Sequence, residues 1–218
     1  MRRSNKNSYQ YQGCIKDQSM WNQIFSDHQV NELGNLFDAI VMDPPWNDTA
    51  CKLGYQILKD IEIFKNIPIQ KLQKNGYLFI WITNLKLESC LEYLKSIGYK
   101  RAEILTWVKL NEDKTLHSRI GFDLRHVTEF CVVARPDNKF SELKRISFTH
   151  NVPNIIISPV RLVSQKPYQL YEYIEQLLPN RKYAEIFGRP HNHRPYWTTI
   201  GNEAIYFLNG QPSKVNKQ

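Results

Sequence analysis

Runs of consecutive apolar residues along this chain alternate with stretches in which apolar residues recur three or four positions apart. Such runs predict strands that are buried on both faces, because a half-buried strand alternates apolar and polar positions. Apolar runs at 39–42 and 78–82 are predicted to be buried strands. The segments 104–108, 129–134 and 183–187 are also predicted to be strands, 155–157 is a short strand or edge, and a short first strand is expected around Cys14 and Ile15.

Two helices are predicted between these strands. The first has an apolar face formed by Leu87, Leu91, Leu94 and Ile97. Gly98 follows as its C-terminal stop. The second lies between Pro167, which suits a first helical turn, and Pro179. Its apolar face is formed by Leu170, Ile174, Leu177 and Leu178. This alternation of strands and helices predicts an α/β fold with a mostly parallel sheet covered by helices.

The polar segments of the chain set the predicted domain boundaries. Residues 1–12 and 211–218 are polar at both ends and are predicted to be disordered, which leaves one domain at 13–210. Within it, residues 109–128 lack an obvious regular pattern, and a stretch of this length is usually functional or disordered. Residues 138–149 are also polar and basic.

Composition and charge narrow the classes of partner. The 218 residues include 29 Lys plus Arg against 21 Asp plus Glu, a net charge of +8, and such a balance favours an acidic partner such as nucleic acid or an anionic membrane. We expect no membrane partner, since no apolar run reaches the length of a bilayer span and no signal peptide is recognisable. The four cysteines form no C-x-x-C pair, which argues against a structural zinc site and favours a reducing compartment, the cytoplasm or nucleus.

The strand at 39–42 leads directly into Asp43-Pro44-Pro45-Trp46. The prolines end the strand and hold a carboxylate, backbone carbonyls and an indole at its carboxyl end, where α/β sheets bind ligands. Two acceptors, the Asp43 carboxylate and the Pro44 carbonyl, suit an adenine amino group whose lone pair must be turned toward a methyl donor. Trp46 suits stacking on a base. The alternative is a plain strand end with a capping aspartate and a core tryptophan.

A second candidate segment follows the strand at 183–187. The loop 188–195 is rich in hydrogen-bond donors and contains His191-Asn192-His193. These histidines suggest a metal-dependent nuclease as an alternative, but no carboxylate–histidine cluster accompanies them. No G-x-G-x-x-G loop is present, so a dinucleotide site has little support.

These segments resemble the MT-A70 family of adenine-N6 methyltransferases. The resemblance covers residues 36–205 in the family's order and rests on Met42 to Trp46, Phe187 to Asn192, and Trp197 followed by Gly201-Asn202. It implies a Rossmann-like methyltransferase fold with permuted motif order, in which the catalytic tetrapeptide precedes the cofactor half. It also implies S-adenosylmethionine as cofactor, S-adenosylhomocysteine as product and no metal.

The resemblance assigns roles to individual residues. Asp43, Pro44, Pro45 and Trp46 match the catalytic tetrapeptide, with Trp46 against the base. Cofactor contacts are assigned to Lys166, Glu185, Phe187, Arg189, His191, Asn192, Asn202 and Glu203, the last standing where the family often has glutamine. Glu129 matches an acidic residue near the target base, and Arg119 and Arg125 are predicted to contact the substrate. Lys166 or Arg189 supplies the cation that the cofactor carboxylate requires.

The predicted reaction is methylation of adenine N6 in nucleic acid. The chain looks like the ciliate branch of the family, which favours DNA and a nuclear location; an mRNA-type RNA substrate is the alternative. The resemblance also implies a heterodimer with a catalytically degenerate relative, together with separate DNA-binding subunits. The alternative from another class is a non-catalytic scaffold subunit, although such relatives have lost the tetrapeptide that this chain keeps.

Overall fold

The computed structural model describes residues 8–46, 60–121, 123–137, 149–162, 164–205, 207–208 and 211–212. The chain forms two compact units. We call Met1–Gly76 with Lys182–Gln218 the discontinuous unit and Tyr77–Arg181 the continuous unit.

The described strands are β1 (Tyr9–Gln12), β2 (Ala39–Met42), β3 (Tyr77–Ile82), β4 (Tyr99–Leu110), β5 (Arg119–Ile120), β6 (Arg125–His126), β7 (Thr128–Pro136), β8 (Ile155–Pro159), β9 (Tyr183–Ile186), β10 (Trp197–Gly201), β11 (Phe207–Leu208) and β12 (Gln211–Pro212). The described α-helices are α1 (Gln18–Asp27), α2 (Asp60–Asn66), α3 (Ile69–Leu72), α4 (Leu87–Ser96) and α5 (Gln169–Leu177). Short 3₁₀ helices span Asn84–Lys86 and Pro190–Asn192.

The discontinuous unit is built on four parallel strands in the order β1-β10-β9-β2. Every residue of β2, β9 and β10 is buried, as the apolar run at 39–42 predicts. Helix α1 packs against β1 and buries Met20, Trp21 and Ile24. It begins after Asp17, whose carboxylate accepts a hydrogen bond from the Ser19 backbone N–H at 2.8 Å.

A buried polar network lies at the amino end of β2. One carboxylate oxygen of Asp38 accepts hydrogen bonds from the side-chain amides of Asn31 (2.8 Å) and Asn35 (3.0 Å). The other accepts from the backbone N–H of Lys182 at 3.3 Å. Asn35 in turn accepts from the backbone N–H of Asn75 at 2.9 Å. The network joins segments that are distant in sequence at the entrance to β2 and β9.

The continuous unit is built on four strands in the order β3-β7-β4-β8. Strand β7 pairs antiparallel with both β3 and β4, whereas β4 and β8 are parallel. The strand–helix–strand pattern at 78–108 predicts parallel strands, and β7 is the strand of this unit that departs from it. The connection through α4 leaves β3 and β4 pointing the same way, but β7 lies between them and supplies antiparallel partners to both. Gly98 ends α4 with φ of 75°, as predicted for a C-terminal stop.

Several predicted boundaries are corrected by the described residues. Tyr9–Gln12 forms a strand beside β10 rather than a disordered end, and Cys14 and Ile15 lie outside any strand. Gln211–Pro212 pairs with β11 rather than belonging to a disordered tail. The segment 109–128 contains the antiparallel hairpin β5–β6. Residues 1–7, 138–148 and 213–218 lie outside the described part of the chain.

The predicted class, an α/β fold with mostly parallel pairing and flanking helices, is confirmed. Among the described helices, none combines the length and apolar character that crossing a bilayer requires.

Candidate active site

The carboxyl ends of β2, β9 and β10 meet at one edge of the discontinuous unit. The parallel register places Met42 beside Ile186, and Ile186 beside Ile200. The segments that begin at Asp43 and Phe187 therefore leave neighbouring strands at the same edge. This is where open α/β sheets bind ligands, so the two candidate segments share one edge as predicted.

The tetrapeptide forms a tight turn directly after β2. The Trp46 backbone N–H donates to the Pro44 carbonyl at 2.8 Å, which leaves that oxygen one further lone pair for a ligand. Asp43 is half-buried. Trp46 is only 7% exposed, and its ring meets the edge of Phe64 at a centroid distance of 5.7 Å. The indole is therefore a packed side chain in this structure, and its stacking on a base stays a prediction.

The turn after β9 is built on an unusual backbone. Phe187 has φ of 69°, a conformation that costs a non-glycine residue about 1–3 kcal/mol and is found mainly at functional sites. The Gly188 backbone N–H donates to the Ile200 carbonyl at 3.0 Å. A Cβ atom on Gly201 would lie 2.6 Å from the Gly188 carbonyl oxygen, so the two backbones touch because neither residue has a side chain.

The predicted cofactor residues that follow these turns are partly joined by contacts. The Asn192 side-chain oxygen accepts from the Arg189 backbone N–H at 2.8 Å. The Arg189 guanidinium lies 3.4 Å from the Glu203 carboxylate, which is 60% exposed. His191 and Asn202 are exposed. Together these residues form a polar loop cluster with one cation, one carboxylate and several amide and imidazole groups.

Glu185 occupies a different environment from the loop residues. It lies within β9, opposite Val41 on one side and Thr199 on the other, and is 5% exposed. The neighbouring Thr199 hydroxyl is buried without a hydrogen-bond partner among the described residues. A buried carboxylate beside such a hydroxyl is a polar site within the sheet, and a direct cofactor contact by Glu185 stays a prediction.

The N-terminal strand supports the turn after β10, which sequence reasoning missed. The Gly13 backbone N–H donates to the Gly201 carbonyl at 3.2 Å. The Gln10 side-chain amide donates to the Ala204 carbonyl at 3.1 Å. The alternating sequence Tyr-Gln-Tyr-Gln was the available signal, since alternation is typical of a half-buried edge strand.

Gly201→Ala is expected to lower the free energy of unfolding by about 1–3 kcal/mol, because the added methyl group forces the two turns apart. It is also expected to weaken S-adenosylmethionine binding, measured by calorimetry. Gln23→Ala on the exposed face of α1 is the control, since it adds no atom to either turn. Equal cofactor affinity in Gly201→Ala and the wild type would contradict a binding role for this turn.

In the continuous unit, Glu129 lies between two lysines. Its carboxylate oxygens are 3.2 Å from the Lys109 ammonium and 3.5 Å from the Lys166 ammonium. Lys166 also lies over the Trp81 ring, 5.7 Å from its centroid. The structure thus brings the predicted residues Glu129 and Lys166 together. It adds Lys109, which is 6% exposed and which the sequence analysis placed in an irregular basic stretch.

The two ammonium groups decide the ionisation of Glu129. Burial acts to raise the pKa of this carboxyl group, but the nearby charges of Lys166 and Lys109 outweigh it and hold the pKa below the usual range. The ionised form is therefore stabilised by folding.

Glu129 should accordingly make stability depend on pH. A depressed pKa contributes stability above the ordinary glutamate pKa, and this contribution is lost as the pH falls through the lowered value. The stability difference between wild type and Glu129→Gln, measured by chemical denaturation, should therefore shrink on acidification. The exposed Glu172→Gln is the control, and a difference that stays constant with pH would contradict the assignment.

The predicted substrate arginines lie on the exposed β5–β6 hairpin. The Arg119 Nε donates to His117 at 3.3 Å, and the Arg125 Nε donates to the Ser118 hydroxyl at 2.8 Å. Ile120 is 89% exposed between them. The hairpin offers cationic and apolar groups to a partner, and its contact with substrate stays a prediction.

Groups of three or more histidine, cysteine or acidic side chains that could hold a metal ion do not occur in the described ranges. Neither His191 nor His193 therefore belongs to such a group among the described residues.

Comparison with known proteins assigns the family. The MT-A70 family model matches residues 37–203. The chain belongs to the MT-A70 family. The Rossmann-like methyltransferase fold that the sequence resemblance predicted agrees with the strand order of this MT-A70 domain.

The relatives of this MT-A70 domain are longer proteins. The N(6)-adenosine-methyltransferase subunit METTL3 of Danio rerio is 38% identical over 80% of the chain and 29% of its own length. The N(6)-adenosine-methyltransferase catalytic subunit METTL3 of Homo sapiens is 37% identical over the same shares. The N(6)-adenine-specific methyltransferase METTL4 of Homo sapiens is 29% identical over 78% of the chain and 38% of its own length. The chain thus spans less than half of each relative.

Proposed function

We propose that this protein transfers a methyl group from S-adenosylmethionine to adenine N6 in nucleic acid. One observation carries the proposal: the Asp43–Pro44 turn and the Arg189–Asn192 loop leave adjacent parallel strands at the same edge. An acceptor pair for an amine and a polar loop for a charged cofactor are the two halves that this reaction needs.

The residues of the discontinuous unit fit the cofactor by their chemistry. Its carboxylate requires a cation, which Arg189 provides, and its ribose hydroxyls suit the amides of Asn192 and Asn202 and the imidazole of His191. The close approach of Gly188 and Gly201 holds the turns after β9 and β10 together, which fixes the loops that carry Arg189 and Asn202. When bound, the cofactor supplies an electrophilic methyl group on sulfur.

The chain's own contribution to the reaction is orientation of the amine. The Asp43 carboxylate and the Pro44 carbonyl accept the two amino hydrogens, which turns the nitrogen lone pair away from the ring. The proline backbone holds both acceptors in place before the substrate arrives, so little reorganisation is needed at the moment of reaction. The roles that the resemblance gives to Lys166 and Glu129, a cofactor contact and a residue near the base, stay predictions.

Whether the methylated polymer is DNA or RNA is the finer question. The ciliate resemblance favours DNA, whereas the names of the METTL3 relatives specify adenosine and support RNA as the second candidate. The METTL4 relative is named only as adenine-specific. The DNA preference stays a prediction, as do the nuclear location, a degenerate MT-A70 partner subunit and further DNA-binding subunits.

The decisive experiment measures transfer of labelled methyl groups to DNA and RNA oligonucleotides of matched sequence, with and without a candidate partner subunit. Label in N6-methyladenine supports the proposal, and the preferred oligonucleotide identifies the polymer. Binding of nucleic acid without S-adenosylmethionine binding in any assembly would instead favour the scaffold function.

A further inference from the structure

A tight turn after β10 presents two of the predicted cofactor residues. The Ala204 backbone N–H donates to the Gly201 carbonyl at 3.3 Å, which closes a four-residue β-turn. Asn202 and Glu203 are the two central residues of this turn, and both are exposed. We infer that Gln10 is a positioning residue, which holds this turn so that Asn202 and Glu203 are presented in a fixed place. The inference rests on the proposed function, in which Asn202 contacts the cofactor.

Strand β1 and the residue that follows it hold both ends of the turn. At the start, the Gly201 carbonyl also accepts a hydrogen bond from the Gly13 backbone N–H at 3.2 Å. At the end, the Ala204 carbonyl accepts one from the side-chain amide of Gln10 at 3.1 Å. The first contact is made by the backbone, whereas the second needs the length and the donor of a glutamine side chain. The placement of the turn therefore depends on Gln10.

Gln10 stands on a strand that is itself fixed from two sides. The backbone of β1 pairs in parallel with β10 along its whole length. The Tyr11 hydroxyl donates to the Asp27 carboxylate, at the last residue of α1, at 2.8 Å. Since successive side chains of a strand point to opposite faces, Tyr11 ties β1 to the helix on one face while Gln10 reaches the turn on the other.

The environment of the turn explains why this hydrogen bond matters. Ala204 is fully buried, so water cannot readily replace a lost donor to its carbonyl. Asn202 and Glu203 are exposed, and the position of their side chains follows the backbone that carries them. The Glu203 carboxylate lies 3.4 Å from the Arg189 guanidinium, but an exposed ion pair of this kind contributes little stability. The contact from Gln10 is therefore the stronger restraint on the turn.

The inference extends the site beyond the part of the chain that the comparison covers. Gln10 lies outside residues 37–203, which match the MT-A70 family model, and the sequence resemblance gives it no role. Strand β1 thus becomes part of the cofactor side of the site, although none of its side chains needs to touch the cofactor.

Loss of the side-chain donor should weaken cofactor binding. We expect Gln10→Met, which keeps the length of the side chain but removes the amide, to raise the Kd for S-adenosylmethionine about 3- to 10-fold. Gln10→Lys retains a donor of similar reach and should have an intermediate Kd. Gln12→Met is the matched control and should bind as the wild type does, because it makes the same change at an exposed position of the same strand.

A double-mutant cycle tests whether Gln10 acts through the turn. Calorimetry measures the Kd for S-adenosylmethionine in the wild type, Gln10→Met, the pair Asn202→Ala with Glu203→Ala, and the triple variant, with thermal midpoints to verify folding. A positioning role requires that Gln10→Met weakens binding when the two presented side chains are there and has no further effect when they are removed. A general structural loss would instead weaken binding equally in both backgrounds.

Other outcomes overturn the inference. An unchanged Kd in Gln10→Met, or an equal rise in Gln12→Met, would mean that the hydrogen bond to Ala204 does not govern the turn. Additive effects in the cycle would mean that Gln10 acts independently of the presented side chains. Absence of S-adenosylmethionine binding by the wild type would refute the proposed function itself, and the inference with it, whereas a wild type that binds isolates the failure to Gln10.

Discussion

Asp43→Ala is expected to lower the rate of methyl transfer by about 10²–10³-fold, the usual loss when a preorganised polar group is removed from the reacting centre. The Asp43 carboxylate lies on the amine side of the proposed site, so S-adenosylmethionine should bind the variant with an unchanged Kd. Steady-state transfer of labelled methyl groups gives the rate, and calorimetry gives the affinity. The loss should appear in kcat, because the interaction serves orientation of the amine more than binding.

Two further variants sharpen the expectation for Asp43. Asp43→Asn keeps one acceptor oxygen but faces the amine with a donor as well, so it should remain strongly impaired. Glu92→Gln removes one carboxylate charge from the exposed surface of α4 and should transfer at the wild-type rate. Undiminished transfer by Asp43→Ala would refute the mechanism, and loss of cofactor binding would move Asp43 to the cofactor side.

Asp38→Ala is expected to lower the free energy of unfolding by about 2–4 kcal/mol, since it removes the acceptor for several donors at a nearly fully buried position. Asp38 is 1% exposed and Asn35 is fully buried, so water cannot easily replace the lost carboxylate. Urea denaturation monitored by tryptophan fluorescence measures the effect.

The exposed Asp123→Ala is the control for Asp38 and should change the unfolding free energy by less than about 0.5 kcal/mol. Asp38→Asn retains one of the two acceptor oxygens and should fall between the wild type and the alanine variant. A cost for Asp38→Ala no larger than that of the control would mean that the network adds nothing to the stability of the discontinuous unit.

The strands that the sequence predicted most directly are those with uninterrupted apolar residues. Ala39–Met42 and Tyr77–Ile82 are buried at every position, and their apolar composition indicates this burial directly. Strand β10 was missed because its buried residues include Thr198 and Thr199, whose hydroxyls hide the burial from a count of apolar residues. Strand β1 was missed because only Tyr11 among its residues is buried, so a search for apolar runs does not find it.

Site residues that directly follow a predicted strand could be placed from the sequence. Contacts that depend on which strands pair, and in which register, could not. Asp43 comes directly after an apolar run and Arg189 follows the predicted strand 183–187 by two residues, which placed both at carboxyl ends. Lys109 was missed although a signal existed. It shares a face of β4 with the buried Leu105 and Trp107, and a lysine at such a position indicates a carboxylate partner. That Glu129 is this partner depends on the β4–β7 register, which a single sequence does not contain.

The division of the chain has a consequence for the order of folding. The continuous unit contains all its own strands within one segment, whereas β2 and β9 of the discontinuous unit pair across the whole of that segment, with Ala39 beside Tyr183. Closing so long a loop costs conformational entropy before the pairing of β2 with β9 can offset that cost. This pairing is therefore expected to form slowly. The edge that holds Asp43 and Arg189 should therefore be completed late, after the segment between its halves has folded.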